Sequence, residues 1–181
     1  MPRAGEQLSV WSSQDGICRA LYGICRINLE KAMLAEMMRE PAYGAYRSRL
    51  HALLQIPTDA SDMEIHILIQ GGFAAKRLMN LFEQGDVTTF ERDLIIPLKT
   101  LKTRIAKDQR LTVDESDRLF RAAHITAMAD AVFGNPEKAK RWLSKPKERF
   151  SDLSPMAMLS TVQGTRQVEE MLIQMAEGFA F

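Results

Sequence analysis

The sequence predicts an all-α protein. Apolar residues recur at helical spacing through nearly every segment, and no stretch alternates in the manner of a strand. A hydroxyl residue precedes a glutamate by three positions at Ser61/Glu64, Thr88/Glu91 and Thr112/Glu115, the signature of a reciprocal helix cap. Proline and glycine mostly fall where one periodic run ends and the next begins.

Taken in order, residues 1–13 carry no period. From 13 to 39 an amphipathic run passes through Ile17, Leu21, Ile24, Leu29, Met33 and Met37, and Pro41 is expected to close it. A second helix carries Tyr43, Tyr46, Leu50 and Leu53 and stops before Pro57. The three capped starts open helices over about 61–70, 88–94 and 113–133. Gly71 and Gly72 stop the first of these, and Phe73 to Glu83 forms another helix. Pro97 suits a first helical turn, so a helix is expected from there to about Asp108. Asn135 and Pro136 start a short helix that Pro146 ends. It sets Ala139, Trp142 and Leu143 on one face, and Trp142 is expected in the core. Ser154 and Pro155 start the next helix. Thr165 is expected to start the last, with Val168, Met171, Leu172 and Met175 on its packed side and Gly178 at its end.

Composition narrows the functional classes. At 181 residues, 46% hydrophobic and 26% charged, the chain is large enough to bury a core without staples. The formal net charge of +1 gives no whole-molecule case for nucleic-acid binding, so any such activity needs a local patch. Cys18 and Cys25 lie seven residues apart on one expected helix. The rise between them, about 10.5 Å, exceeds the reach of a disulfide, so they read as small core residues of a reducing compartment. The N-terminal stretch lacks the apolar run of a signal peptide, and nothing in the chain is apolar for long enough to span a membrane; a cytoplasmic protein is expected.

Catalytic and metal signatures are missing. His51, His66 and His124 fall on three separate expected helices, with neither HExxH nor paired Cys/His spacing. No GxSxG, Walker loop or GxGxxG occurs, and Gly71–Gly72 follows a helix, not a strand. No enzyme, metal or cofactor is expected.

The informative segment is AAKRLMNLFEQGDVTTFERDLIIPLKTLKTRIAKDQRLT. It gives a helix, a short capped helix, a tight connection at Ile95–Ile96 and a third helix, the spacing of a helix–turn–helix whose second member enters a major groove. With Leu98, Leu101 and Ile105 turned to the core, Lys99, Thr100, Thr103 and Lys107 point outward and Lys102 and Arg104 lie on the flanks. Residues 97–110 hold Lys99, Lys102, Arg104, Lys107 and Arg110 against Asp108, a local net charge of +4. The candidate DNA-binding residues are therefore Lys99, Thr100, Lys102, Thr103, Arg104, Lys107 and Arg110, with the cations meeting phosphates and hydroxyls or lysines meeting base edges. Groove reading by one helix implies a homodimer on two half-sites. The competing interpretation of the same residues is a solvated helical face.

Downstream, LTVDESDRLFRAAHITAMADAVFGNPEKAKRWLSKP followed by SPMAMLSTVQGTRQVEEMLIQMAEG resembles the Xre/MbcA/ParS family of type II antitoxins. The matching features are Leu111–Thr112 before Glu115, Ser116 and Leu119; Phe133–Gly134 before Trp142–Leu143; Ser154–Pro155; Gly164 before Val168 and Leu172; and Gly178. The stretch PLKTLKTR looks like the family's recognition helix, with Lys99 where arginine is common and Thr103 where a second basic residue is frequent. The resemblance covers about residues 60–181. It implies an Xre-like helix–turn–helix domain over 59–111 and a toxin-binding domain over 112–181; residues 1–58, an N-terminal helical extension, lie outside what it covers. It also implies a RES-domain toxin as partner, one that consumes NAD or transfers ADP-ribose from it, neutralised by covering its cleft; a homodimer within a hetero-oligomeric complex; and binding of the antitoxin to its own promoter.

On that reading, the toxin-binding candidates are Glu169, Glu170, Gln174, Glu177, Gly178, Phe179 and Phe181. Residues 163–181 carry one arginine against three glutamates and the terminal carboxylate, a net charge of −3, so an acidic, aromatic tail would mimic a dinucleotide in a cationic cleft. The alternatives are a stand-alone repressor that uses residues 113–181 to dimerise, and a protein-binding module whose DNA surface has decayed.

Overall fold

The structure, a computed structural model, describes residues 40–178. The expected helix over 13–39 with Cys18 and Cys25, and the tail residues Phe179 and Phe181, lie outside them. The described residues form nine α-helices and no strand. These are α1 (Glu40–Leu54), α2 (Asp62–Gln70), α3 (Ala75–Glu83), α4 (Thr89–Ile95), α5 (Leu98–Ala106), α6 (Val113–Phe133), α7 (Pro136–Ser144), α8 (Pro155–Met158) and α9 (Val162–Ala176), with a 3₁₀ turn at Glu148–Phe150 between α7 and α8.

The organising element is α6. Its 21 residues pack against α1, α2, α4, α7 and α9. The sequence explains why one helix touches so many others: Ile125, Ala127, Met128 and Ala129 are all buried, so the helix is enclosed around its circumference at its middle, and alanine there lets neighbours approach closely. The smaller pairings are α3 with α4 and α5, and α8 with α7 and α9.

All three anticipated capping boxes form with both reciprocal hydrogen bonds. Ser61, Thr88 and Thr112 accept from the glutamate backbone N–H three residues on, and the glutamate carboxylate accepts from the cap backbone N–H. Asn135 caps α7 through the Lys138 N–H, and Ser154 caps α8 through that of Ala157. Gly72 sits at φ +72 behind α2, and a Cβ there would meet the Leu111 carbonyl oxygen at 2.3 Å, so the position needs glycine twice over.

Pro41 lies in the first turn of α1, where its missing N–H costs nothing; the run it was expected to close lies outside the described residues. Two local expectations change. The last helix starts at Val162, not Thr165: Thr161 is the cap, its hydroxyl accepting from the Gly164 N–H, while the buried Thr165 hydroxyl donates back to the Thr161 carbonyl. Trp142 is half-buried and not in the core. Ala139 and Leu143 take the buried face of α7, while the Trp142 ring lies against Phe133 at 5.7 Å and its other surroundings include the Lys147 ammonium, 5.2 Å from the ring centre.

Two arginines are buried for structural reasons. Arg47 spends its guanidinium on the carbonyls of Pro57, Thr58 and Ala60, closing the turn after α1. Arg92 lies over the Phe82 ring and pairs with Asp93.

Candidate functional site

The segment expected to read DNA is α4, two connecting residues and α5. Ile96 is extended and Pro97 is the residue before α5, so the chain turns without a free loop. Ile95, Ile96 and Leu101 are buried and fix the turn to the interior, whereas Leu98 and Ile105 are only half-buried. The result is consistent with a helix–turn–helix.

Lys99, Thr100, Lys102, Thr103, Lys107 and Arg110 are exposed, so α5 and its C-terminal turn gather six of the seven expected residues on open surface. Two of them are partly engaged: the Thr103 hydroxyl donates to the Lys99 carbonyl, and Arg110 Nε donates to the Gly72 carbonyl at 2.7 Å. The seventh differs. Arg104 is turned inward, with one terminal nitrogen 3.0 Å from Glu115 Oε1, the other donating to the Arg110 carbonyl, and Nε buried without a hydrogen-bond partner. The helical wheel placed it on a flank, but Glu115 is remote in sequence from α5, so no wheel could show the pairing.

The C-terminal surface is built on α9. Val168 and Leu172 are fully buried and Met171 nearly so, which turns Glu170 and Glu177 to solvent. Glu169 is half-buried. Its carboxylate lies 3.1 Å from His124 Nε2, and Tyr46 Oη lies 2.8 Å from His124 Nδ1. A carboxylate only accepts, so Nε2 carries a proton, and in the neutral ring Nδ1 accepts from the Tyr46 hydroxyl. Phe120 stacks on the same imidazole. Burial pushes the Tyr46 phenol well above its ordinary range. Gln174 is half-buried and accepts from Arg149 at 2.9 Å. Thus Glu169 and Gln174 have partners within the chain, Glu170, Glu177 and Gly178 are open, and Phe179 and Phe181 lie outside the described residues.

Sequence reasoning missed the ties between these surfaces. Arg49 on α1 bridges Asp86, just before α4, and Asp130 on α6, each at 2.8 Å. Burial raises the Asp130 carboxyl above its usual value even though Arg49 opposes that, and the two aspartates hold the Arg49 guanidinium proton more tightly against the effect of burial. Nothing in the local sequence pairs Arg49 with positions 37 and 81 residues away.

Among the described residues no group of three metal-ligating side chains converges, and His51, His66 and His124 lie on α1, α2 and α6. No described helix is long and apolar enough to cross a membrane.

Comparison with known proteins decides the family. A model of the antitoxin Xre/MbcA/ParS C-terminal toxin-binding domain matches residues 128–178, from the buried middle of α6 to the end of α9. A protein from Pseudomonas putida (strain KT2440) named Antitoxin Xre is 68% identical over 150 residues, covering 83% of this chain and 94% of that one. The chain belongs to the Xre/MbcA/ParS antitoxin family. Two more distant proteins of the name Antitoxin Xre match it in part. One from Yersinia enterocolitica is 31% identical over 46% of this chain and 57% of its own, and one from Photorhabdus laumondii is 26% identical over 54% and 64%. The matched segment takes in the last six residues of α6 and all of α7, α8 and α9, and includes Glu169, which lies against His124, and the half-buried Trp142.

Proposed function

We propose that this antitoxin neutralises a RES-domain toxin that consumes NAD or transfers ADP-ribose, by occupying the toxin's active-site cleft and with no catalysis of its own. The observation that carries the reading is the open acidic side and end of α9, at Glu170, Glu177 and Gly178, inside the matched segment, which the sequence follows with the aromatic tail Phe179–Ala180–Phe181. A cleft that grips a pyrophosphate is cationic, and carboxylates on a helix end are complementary to it. Glu169 and Gln174, spoken for by His124 and Arg149, support the helix, and contact with the toxin falls to Glu170, Glu177, Gly178, Phe179 and Phe181. The test is co-expression with the product of the adjacent reading frame and deletion of Gly178–Phe181. Neutralisation undiminished by the deletion removes the tail from the mechanism, and a neighbouring product that this chain neither binds nor restrains removes the antitoxin–RES pairing.

The same chain, on this proposal, represses its own operon through α4 and α5 as a homodimer in the cytoplasm, with residues 59–111 as the DNA-binding domain, 112–181 as the toxin-binding domain and 1–58 as an extension. The exposed cations of α5 and its C-terminal turn support this. Binding to the DNA upstream of its gene should weaken steeply with salt.

A further inference from the structure

We propose that Arg104 is a positioning residue, which fixes the pitch of α5 to α6 through Glu115, and that it makes no contact with DNA. The proposal rests on the reading that α5 meets DNA. The geometry separates Arg104 from the other cations of its helix. Lys99, Lys102 and Lys107 are exposed, but the Arg104 side chain is 21% exposed and faces a Glu115 side chain that is 14% exposed. Each end of its guanidinium is committed, to Glu115 Oε1 and to the Arg110 carbonyl, and Nε is buried.

Glu115 serves two elements at once. Oε2 accepts the Thr112 N–H at 2.8 Å and completes the cap of α6, while Oε1 holds Arg104. One carboxylate therefore fixes both where α6 begins and how α5 lies against it. The packing of α5 is otherwise chiefly with α3, through a helix only nine residues long whose apolar residues Leu98 and Ile105 are half-exposed. A short, shallowly seated helix needs a directional tether to keep its outward residues in register with base edges, and a partly desolvated arginine–carboxylate pair, joined by one charged hydrogen bond, supplies one.

The test uses the full chain, a duplex of the DNA immediately upstream of its gene and a scrambled duplex of equal length. The variants are Arg104→Gln, Glu115→Gln, the double variant and Lys102→Gln. Glutamine at position 115 still accepts the Thr112 N–H, so the cap of α6 survives, and thermal melting confirms that each variant is folded. Positioning predicts that Arg104→Gln and Glu115→Gln each lower the upstream-to-scrambled affinity ratio by about three- to tenfold. It further predicts that the double variant is no worse than either single one, and that the slope of log affinity against log salt is unchanged. Lys102→Gln, which removes a phosphate contact, should reduce that slope by about 0.9. The proposal is overturned if Arg104→Gln reduces the slope by a similar amount, or if Glu115→Gln tightens binding to the upstream duplex by freeing Arg104. If the unmodified chain shows no salt-dependent binding, the DNA reading itself fails and the role of Arg104 falls with it.

Discussion

Replacing Gly164 by alanine tests the packing of the toxin-binding region most directly. Gly164 lies in the first turn of α9, where alanine would normally be favoured by about 1 kcal/mol. Here a Cβ would lie 2.1 Å from the Met158 carbonyl oxygen and 2.9 Å from its carbonyl carbon. Ordinary contact starts near 3.4 Å, and the obstacle is backbone, which cannot swing aside as a side chain does. The Met158 carbonyl accepts from the Thr161 N–H, and Thr161 caps α9, so moving the carbonyl also disturbs the cap. Overpacking of this kind costs about 1–3 kcal/mol or more, and loss of the cap adds about 1 kcal/mol. Against the gain in helix propensity, the net cost is about 1–3 kcal/mol. For a chain of this size that lowers Tm by roughly 2–12 °C. Thermal melting followed by far-ultraviolet circular dichroism measures it. A Gly164→Ala protein that melts at or above the unmodified temperature would show that α8 and α9 do not approach as described.

Three further outcomes follow from buried polar groups. Ser116→Ala leaves the buried Phe73 N–H without its acceptor and should cost about 1–3 kcal/mol in urea unfolding. Arg49→Ala strips the partner from Asp130, whose side chain is 11% exposed, and should cost about 2–3 kcal/mol at neutral pH; Asp130→Asn in the same chain should recover part of that loss, because the uncompensated charge is gone. The phenol of Tyr46 is raised by burial above its ordinary 10.0, so the folded state disfavours tyrosinate. Its stabilising share is complete below pH 10 and is lost as pH rises further toward the folded value. Urea midpoints measured from pH 9 to 11 should fall more steeply for the unmodified chain than for Tyr46→Phe.

Local chemistry was legible in the sequence and remote pairing was not. Ser61, Thr88 and Thr112 announced three helices because a capping box is complete within four residues. Lys99, Thr100 and Lys107 were placed outward correctly because their exposure follows from the helical period alone. Thr165 misled: the last helix was expected to start there, whereas Thr161 caps it and Gly164 lies inside its first turn, against the Met158 carbonyl. Trp142 misled because hydrophobic spacing does not reveal that Ala139 and Leu143 alone fill the buried face. Arg104 with Glu115, Arg49 with Asp86 and Asp130, and His124 with Tyr46 and Glu169 all join separate helices. Each is a charge or a ring whose partner is chosen by the fold.

The half-buried indole of Trp142 supplies an optical reporter inside the segment that matches the toxin-binding family model. The chain has two tryptophans, Trp11 and Trp142. With Trp11 replaced by phenylalanine, all tryptophan emission comes from a ring lodged beside Phe133 and an ammonium group. A protein settling over that ring would shift its emission to shorter wavelength and shield it from a dissolved quencher, so association could be timed in a stopped-flow instrument without attaching any dye.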